Sequence, residues 1–393
     1  MPTLTKADII EGLNRREFLL YYQPKVSLVT GQVVGAEALA RWQREGRSLL
    51  NPGAFLPAFE HAKLMNELTL YLLPQLLEDI RTVLGTDLRI SFNVTAADFH
   101  DDVLSEKVLR AIGHDYLPPA CLELEITETQ AMGADDVVLA RIRKLLDAGV
   151  TLAMDDFGIG YSNLDTLSRL PFSTIKLDQG MVGRILDSRK SATIISSSIR
   201  LGHELGMEVI AEGVETLGQQ AYLIEAGCKL MQGYLFSPAL PLEHFIDFRD
   251  QQGKRHTVPM GAVHMAIIDH VQWRRQMVSY AIQRASLSRN AHARQAAGFP
   301  TMCLSDCALG RWYFGEGRHF SGSPVFEAID SPHRELHRIG QAIVDQVRRG
   351  ATLDELETLL STMRAVSTGL IRLLEDLEDL GLRTLHYDHR TLG

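Results

Sequence analysis

The sequence predicts an α/β protein: a (β/α) barrel of the TIM type, followed by an all-α helical bundle. Three observations carry this. Up to about residue 248, short apolar runs alternate with longer stretches of helical period. The polar residues within those runs gather at their C-terminal ends, which meet at one mouth in a (β/α) barrel. After a polar stretch at 249–261 the strand signals stop. An open, doubly wound sheet is the structural alternative.

The strand-like runs are 33–39, 88–94, 121–127, 150–157, 173–178, 207–214 and 229–236. Helices are predicted between them, for example over 136–148 and 191–205. Residues 1–248 thus form the first domain. "RDQQGKRHTVPMG" (249–261) lacks helical period, contains Pro259 and reads as a linker. In 262–393, Val263, Ile267, Val271 and Val278 mark one helix over 263–290. Leu356, Leu359, Met363, Leu370, Leu373 and Leu377 mark another over 352–380, opened by a Thr352–Glu355 capping box. These helices predict a small bundle.

Net charge is −9 with no dense basic run, which argues against a DNA or RNA polymer as partner. A small anionic substrate is still admissible, because a bound metal reverses the local field. No apolar stretch is long enough for a membrane span, and "MPTLTKADIIEGLNRREF" has no signal-peptide core. Four cysteines in 393 residues do not make a disulfide scaffold. A cytoplasmic protein with reduced thiols is expected.

Glu37, Asn93, Glu125, Asp155, Asp156, Lys176, Glu212 and Gln232 all lie at or near strand ends. A lone acid there is usually a helix cap or a solvated loop residue. Five carboxylates in one mouth are different, since they cannot all ionise without compensating charge, and Lys176 alone is too little. An oxygen donor set without His or Cys suits Mg²⁺ or Mn²⁺. Paired cations point to metal-assisted phosphoryl hydrolysis. Successive strand residues face opposite sides, so Asp155 and Asp156 can share a site only if the chain turns there. Gly158 and Gly160 are the expected means. "FGIG" lacks the third glycine of a dinucleotide fingerprint, and the "NVT" sequon at 93–95 falls in a buried strand.

"EALARW" (37–42) resembles the signature of the EAL family of cyclic di-GMP phosphodiesterases. So, in order, do "YYQPKV" (21–26), "FNVT" (92–95), "ELEITET" (123–129), "DDFGIGYSNL" (155–164), "IKLD" (175–178), "IAEGVET" (210–216) and "QGYLFSPAL" (232–240). The resemblance implies a (β/α)8 barrel with its first strand antiparallel. It implies hydrolysis of cyclic di-GMP to linear pGpG with two Mg²⁺ or Mn²⁺ ions. Glu37, Asn93, Glu125 and Asp155 are then ligands of one metal. Asp155 bridges to a second, with Asp156 beside it. Lys176 holds the attacking water, Glu212 is a general base or water-mediated ligand, and Gln232 fixes a metal-bound water. Arg41 clamps a substrate phosphate, Gln23 and Leu39 line the nucleotide pocket, and Glu128 and Glu215 anchor the DDFG loop. Many members carry Thr where this chain has Ile159, which affects that loop but no ligand.

In the second domain, "HRELH" (333–337) puts His333 and His337 four residues apart on one helix face. A buried histidine is commonly a satisfied core residue. Together with His270 and Cys307, the pair makes a His3Cys set suited to tetrahedral Zn²⁺. Cys303, one turn before Cys307, is a competing ligand, but only Cys307 is followed by G-x-W. "DHVQWRRQM" (269–277), "CALGRWYFGEG" (307–317) and "HRELH" resemble the chemoreceptor zinc-binding domain. One structural or regulatory zinc per C-terminal domain is implied. The whole then reads as a zinc-regulated cyclic di-GMP phosphodiesterase, with a homodimer expected. The alternatives are a catalytically silent cyclic di-GMP receptor and a zinc-sensing signalling module.

Overall fold

The computed structural model describes residues 4–28, 31–44, 49–81, 88–114, 117–158, 167, 170–252, 260–286 and 301–390. Ile159 and Gly160 lie outside them. The chain divides into two compact units, one of Met1–Ser27 and Gly31–His256, the other of Thr257–Gly393 with Leu28–Thr30.

The first unit is a closed barrel of eight strands in sequence order. They are β1 (Phe18–Ser27), β2 (Val33–Trp42), β3 (Arg89–Asn93), β4 (Leu122–Thr127), β5 (Thr151–Phe157), β6 (Thr174–Leu177), β7 (Glu208–Ala211) and β8 (Leu230–Met231). β1 is antiparallel to both neighbours, and β2 to β8 pair in parallel. Closure excludes the open doubly wound sheet.

β1 is absent from the seven runs read in the sequence. "FLLYYQPKVS" shows no polar–apolar alternation, and Pro24 argues against a strand with two neighbours. The structure accommodates the proline in a gap. Tyr22 exchanges backbone hydrogen bonds with Leu240, and β8 joins only at Val26, so the missing amide of Pro24 falls between them.

The outer helices follow their sequence signals. Asp136–Asp147 buries Val138, Leu139, Ile142 and Leu145, and Asp135 caps it by accepting from the Val138 amide. Arg189–Leu205 starts at the Ser188 cap and ends on left-handed Gly206. The Leu242–Gln252 helix takes in residues 249–252 of the expected linker, and the next helix begins at Met260; 253–259 lie outside the described residues.

The second unit contains helices Met260–Ser286, Ala308–Phe314, Pro324–Ala328, Asp330–Arg348 and Leu353–Arg390. Its core joins Val263, Met277, Trp312, Leu336, Ile343 and Leu370 among others. The Thr352–Glu355 capping box forms: the Thr352 amide donates to Glu355 Oε2 at 2.7 Å. No helix among the described residues is long and apolar enough to cross a membrane.

Candidate active site and metal centre

The barrel mouth is organised around Lys176, on the buried strand β6. Its Nζ lies 2.5 Å from Glu125 Oε2, 2.6 Å from Glu212 Oε1, 3.3 Å from Glu37 Oε2 and 3.4 Å from Asp155 Oδ1. The parallel strands β2, β4 and β5 and the end of β7 therefore deliver four carboxylates to one ammonium. Asn93 Nδ2 donates to Glu37 Oε1 at 2.8 Å, and Gln232 Nε2 donates to Glu37 Oε2 at 2.6 Å. Gln232 also donates to Gln23 Oε1 at 3.1 Å.

One cation cannot satisfy this set. Burial drives the Glu37, Asp155 and Glu212 carboxyls above their usual range; the neighbouring carboxylates add to the rise and Lys176 only partly opposes it. Burial pushes Glu125 up too, but Lys176 and Lys25 outweigh it and hold that carboxyl at about 2. Gln232 Oε1 is buried without a hydrogen-bond partner. Glu212 Oε1 lies close to Lys176, yet its contact is too poorly directed to count as a hydrogen bond. Oxygen ligands alone, a surplus of negative charge and unsatisfied oxygens fit hard divalent cations.

Asp155 and Asp156 share the mouth through a backbone irregularity. The β5–β6 register shifts between Met154 and Phe157, and Asp156 is left-handed at φ 57°. The turn thus begins at Asp156 itself, ahead of Gly158. Such a conformation at a non-glycine residue costs about 1–3 kcal/mol. The Asp156 amide donates to Asp155 Oδ1 at 2.9 Å. Gly158 follows at φ 98°, where a Cβ would strike Met181 Cε at 2.6 Å. Its amide donates to Glu128 Oε2 at 3.5 Å, so Glu128 reaches the start of the DDFG loop. The Glu215 amide donates to Gln219 Oε1 at 2.8 Å; the rest of the loop it was expected to anchor, 159–166, lies outside the described residues.

Arg41 is nearly buried. Its guanidinium stands over the Tyr21 ring at 5.6 Å and donates to the Ala40 carbonyl at 2.9 Å. Leu39 pairs with Tyr21 across β1 and β2, and Gln23 pairs with Glu37. Sequence reasoning missed Lys25, a second buried ammonium 3.1 Å from Glu125 Oε1. Its signal was a lysine two residues after Gln23 in "YYQPKV", a spacing that puts both on one face of a strand.

The second cluster is in the helical unit. The ligand atoms of Cys307, His333 and His337 all lie within 4.8 Å of one another. Cys307 Sγ is 3.2 Å from His333 Nε2, and it caps the Ala308–Phe314 helix by accepting from the Gly310 amide at 3.2 Å. A Cβ at Gly310 would overlap the Leu304 carbonyl, which explains a glycine there. His337 Nδ1 lies 3.0 Å from the Met302 carbonyl, an arrangement that leaves Nε2 for a metal. Burial holds His333 down at about 4, helped by His337, and lowers His337, so both imidazoles are neutral near pH 7. His333 Nδ1 is buried without a partner. Nitrogen and sulfur donors at this spacing fit Zn²⁺.

His270 lines the same pocket but stands apart from the trio. Its Nε2 is 2.8 Å from Ser367 Oγ, to which Arg274 Nη1 also donates at 3.0 Å. Cys303 is exposed and its sulfur lies 3.2 Å from Ser305 Oγ, outside the cluster.

Comparisons with known proteins agree with this division. The EAL domain profile matches residues 6–239 and the chemoreceptor zinc-binding domain profile matches 270–344. Over 244 residues the chain is 40% identical to the cyclic di-GMP phosphodiesterase RocR of Pseudomonas aeruginosa, covering 62% of each chain. It is 36% identical to the bifunctional diguanylate cyclase/cyclic di-GMP phosphodiesterase MucR of the same organism, spanning 35% of that protein. The solved PaMucR phosphodiesterase, a c-di-GMP complex, aligns with TM-score 0.58 over 61% of this chain and 98% of that one, at 36% identity. An EAL domain protein from Listeria monocytogenes aligns with TM-score 0.55 at 31% identity, over 64% and 99%. The chain belongs to the EAL family, with a chemoreceptor zinc-binding domain after its barrel.

Proposed function

We propose that the protein hydrolyses cyclic di-GMP to linear pGpG and that zinc in the helical unit regulates it. The ring of four carboxylates around Lys176 carries the catalytic half of this reading. Two divalent cations, Mg²⁺ or Mn²⁺, would be held by Glu37, Asn93, Glu125, Asp155 and Asp156, with Gln232 supporting; when bound they supply charge neutralisation and Lewis acidity. Arg41 holds a substrate phosphate, a task suited to a planar guanidinium. Gln23 and Leu39 border the nucleotide. Lys176 Nζ donates to the attacking water and orients it. Glu212, whose carboxyl burial raises, suits a base that takes the water's proton near neutral pH. Water oxygen bonds to phosphorus as the bond from phosphorus to the 3′-oxygen breaks, leaving a 5′-phosphate and a 3′-oxygen that takes a proton from solvent water or from Glu212 to become a hydroxyl. Glu128 and Glu215 hold the loop that carries Asp156.

His270, Cys307, His333 and His337 form the zinc set, the trio supported by its spacing and His270 by its place in the same pocket. A homodimer in the cytoplasm is part of the proposal, and the four free cysteines are consistent with a reducing compartment.

The test is incubation of the purified chain with cyclic di-GMP and Mn²⁺ or Mg²⁺, with products separated by chromatography. pGpG is the expected product. Tight binding without turnover in any metal selects the receptor reading instead. Turnover that is equal with added zinc and with a zinc chelator overturns the regulatory half. Light scattering that gives a monomer removes the dimer.

A further inference from the structure

Lys25 has no part in the reaction just described. It is 3% exposed, and its Nζ lies 3.1 Å from Glu125 Oε1 and 3.1 Å from Glu123 Oε2. Glu123 is 1% exposed and accepts from Thr174 Oγ1 at 2.6 Å. Lys25, Glu123 and Thr174 each lie two residues along a strand from a mouth residue: Gln23, Glu125 and Lys176. They form a second storey beneath the mouth. Barrels usually fill that storey with Val, Ile and Leu. A buried ion pair is a poor substitute for stability alone, because desolvating two charges offsets their attraction. The pair needs another reason to be there, and Glu125 supplies it. Lys176 takes Oε2 at 2.5 Å while Lys25 takes Oε1 at 3.1 Å, so the carboxylate is pinned from both sides.

We propose that Lys25 is a positioning residue that clamps Glu125 from below and fixes the carboxylate offered to a divalent cation, with Glu123 cancelling the lysine's charge. The inference rests on the two-cation reading of the mouth. A bare ammonium near a cation would weaken binding by repulsion. Glu123, which also lies 3.7 Å from the Glu208-paired Arg89, offsets the lysine's charge and so weakens its field at the mouth. The hydrogen bond to Oε1 acts directly on a ligand, and losing such outer contacts weakens metal binding about 10–100-fold.

The decisive variant replaces the pair together, Lys25→Met with Glu123→Gln. Net charge is conserved and no buried charge is left unpaired, so the fold should survive. Mn²⁺ binding is measured on the full chain without substrate, by electron paramagnetic resonance. The expected result is Mn²⁺ affinity lower by about 10–100-fold. At saturating Mn²⁺ the KM for cyclic di-GMP is unchanged, while the Mn²⁺ concentration for half-maximal turnover rises in step. Affinity within about twofold of wild type overturns the inference, since the clamp is then idle. Wild-type protein that binds no Mn²⁺ at the mouth overturns the two-cation reading and this inference with it. Should the double variant not fold, Lys25→Gln tests the same clamp: wild-type Mn²⁺ affinity overturns it and weaker affinity supports it.

Discussion

At the barrel mouth, burial pushes the Glu37, Asp155, Asp156 and Glu212 carboxyls up; in the helical unit it pushes His333 down to about 4 and His270 to about 3. The same penalty on buried charge thus acts with opposite sign on acids and bases. In the mouth an arriving cation must displace protons and compete with Lys176. In the helical pocket the imidazoles are already neutral, and only Cys307, whose thiol burial pushes up, must release a proton. The mouth therefore favours doubly charged hard ions that substrate phosphates can help to hold, and the pocket favours an ion that binds nitrogen and sulfur. The two donor sets thus differ in both chemistry and electrostatics, which is how one chain would keep the two proposed metals apart.

The sharpest way to break this contrast is at its strongest charge. Asp155→Asn withdraws the carboxylate proposed to bridge the two cations and should abolish turnover in a product assay, while zinc content stays at the wild-type value. Glu212→Gln should lower kcat on the order of 10²–10⁴-fold, the usual share of a general base. A loss of less than about tenfold would remove it from that role. Cys307→Ala should bring bound zinc, measured by metal analysis, well below one per chain, and leave Mn²⁺ affinity at the mouth unchanged. Loss of both metals in either variant would end the claim of separate sites.

The pH dependence should split in the same way. In chelator-treated protein the raised carboxyls stabilise the barrel while they are protonated, and that contribution is lost as pH rises through their folded values. Mn²⁺ should therefore raise the barrel's Tm more at alkaline than at acidic pH. The lowered imidazoles behave oppositely. Their contribution is present above the ordinary value of 6.5 and is lost as pH falls towards about 4 and then about 3. Hydrogen exchange resolved by region should show the helical unit loosening on acidification. The smallest effect is expected at Ser367. Ser367→Ala frees His270 from its hydrogen bond, so zinc affinity should rise about two- to tenfold, the equivalent of one such bond. Unchanged zinc affinity would mean that His270 takes no part in binding zinc.

Much of the mouth was legible because position along a strand decides where a side chain points. Glu37, Asn93, Glu125, Asp155 and Lys176 could be placed together before any coordinates. What escaped depends on partners far apart in sequence. β1 was hidden by Pro24, whose missing amide is harmless only because β8 stops short of it. Lys25 lies on that same unread strand, and only the closed barrel sets it against Glu123 and Glu125, about a hundred residues away. The tie between His270 and Ser367 spans 97 residues and depends on how two helices face each other. Glycine is the usual tenant of left-handed conformations, so the sequence points to Gly158 and Gly160 for the turn, but it falls first on Asp156.

That aspartate has a consequence for engineering. A residue better suited to φ 57° would relax the chain and make the barrel more durable. Glycine is the obvious candidate, and it has no carboxylate. Selection for heat resistance alone would therefore drift towards a protein that outlasts its parent and does less. If Asp156 holds a cation as proposed, hardiness and reactivity are rivals for one side chain at this position.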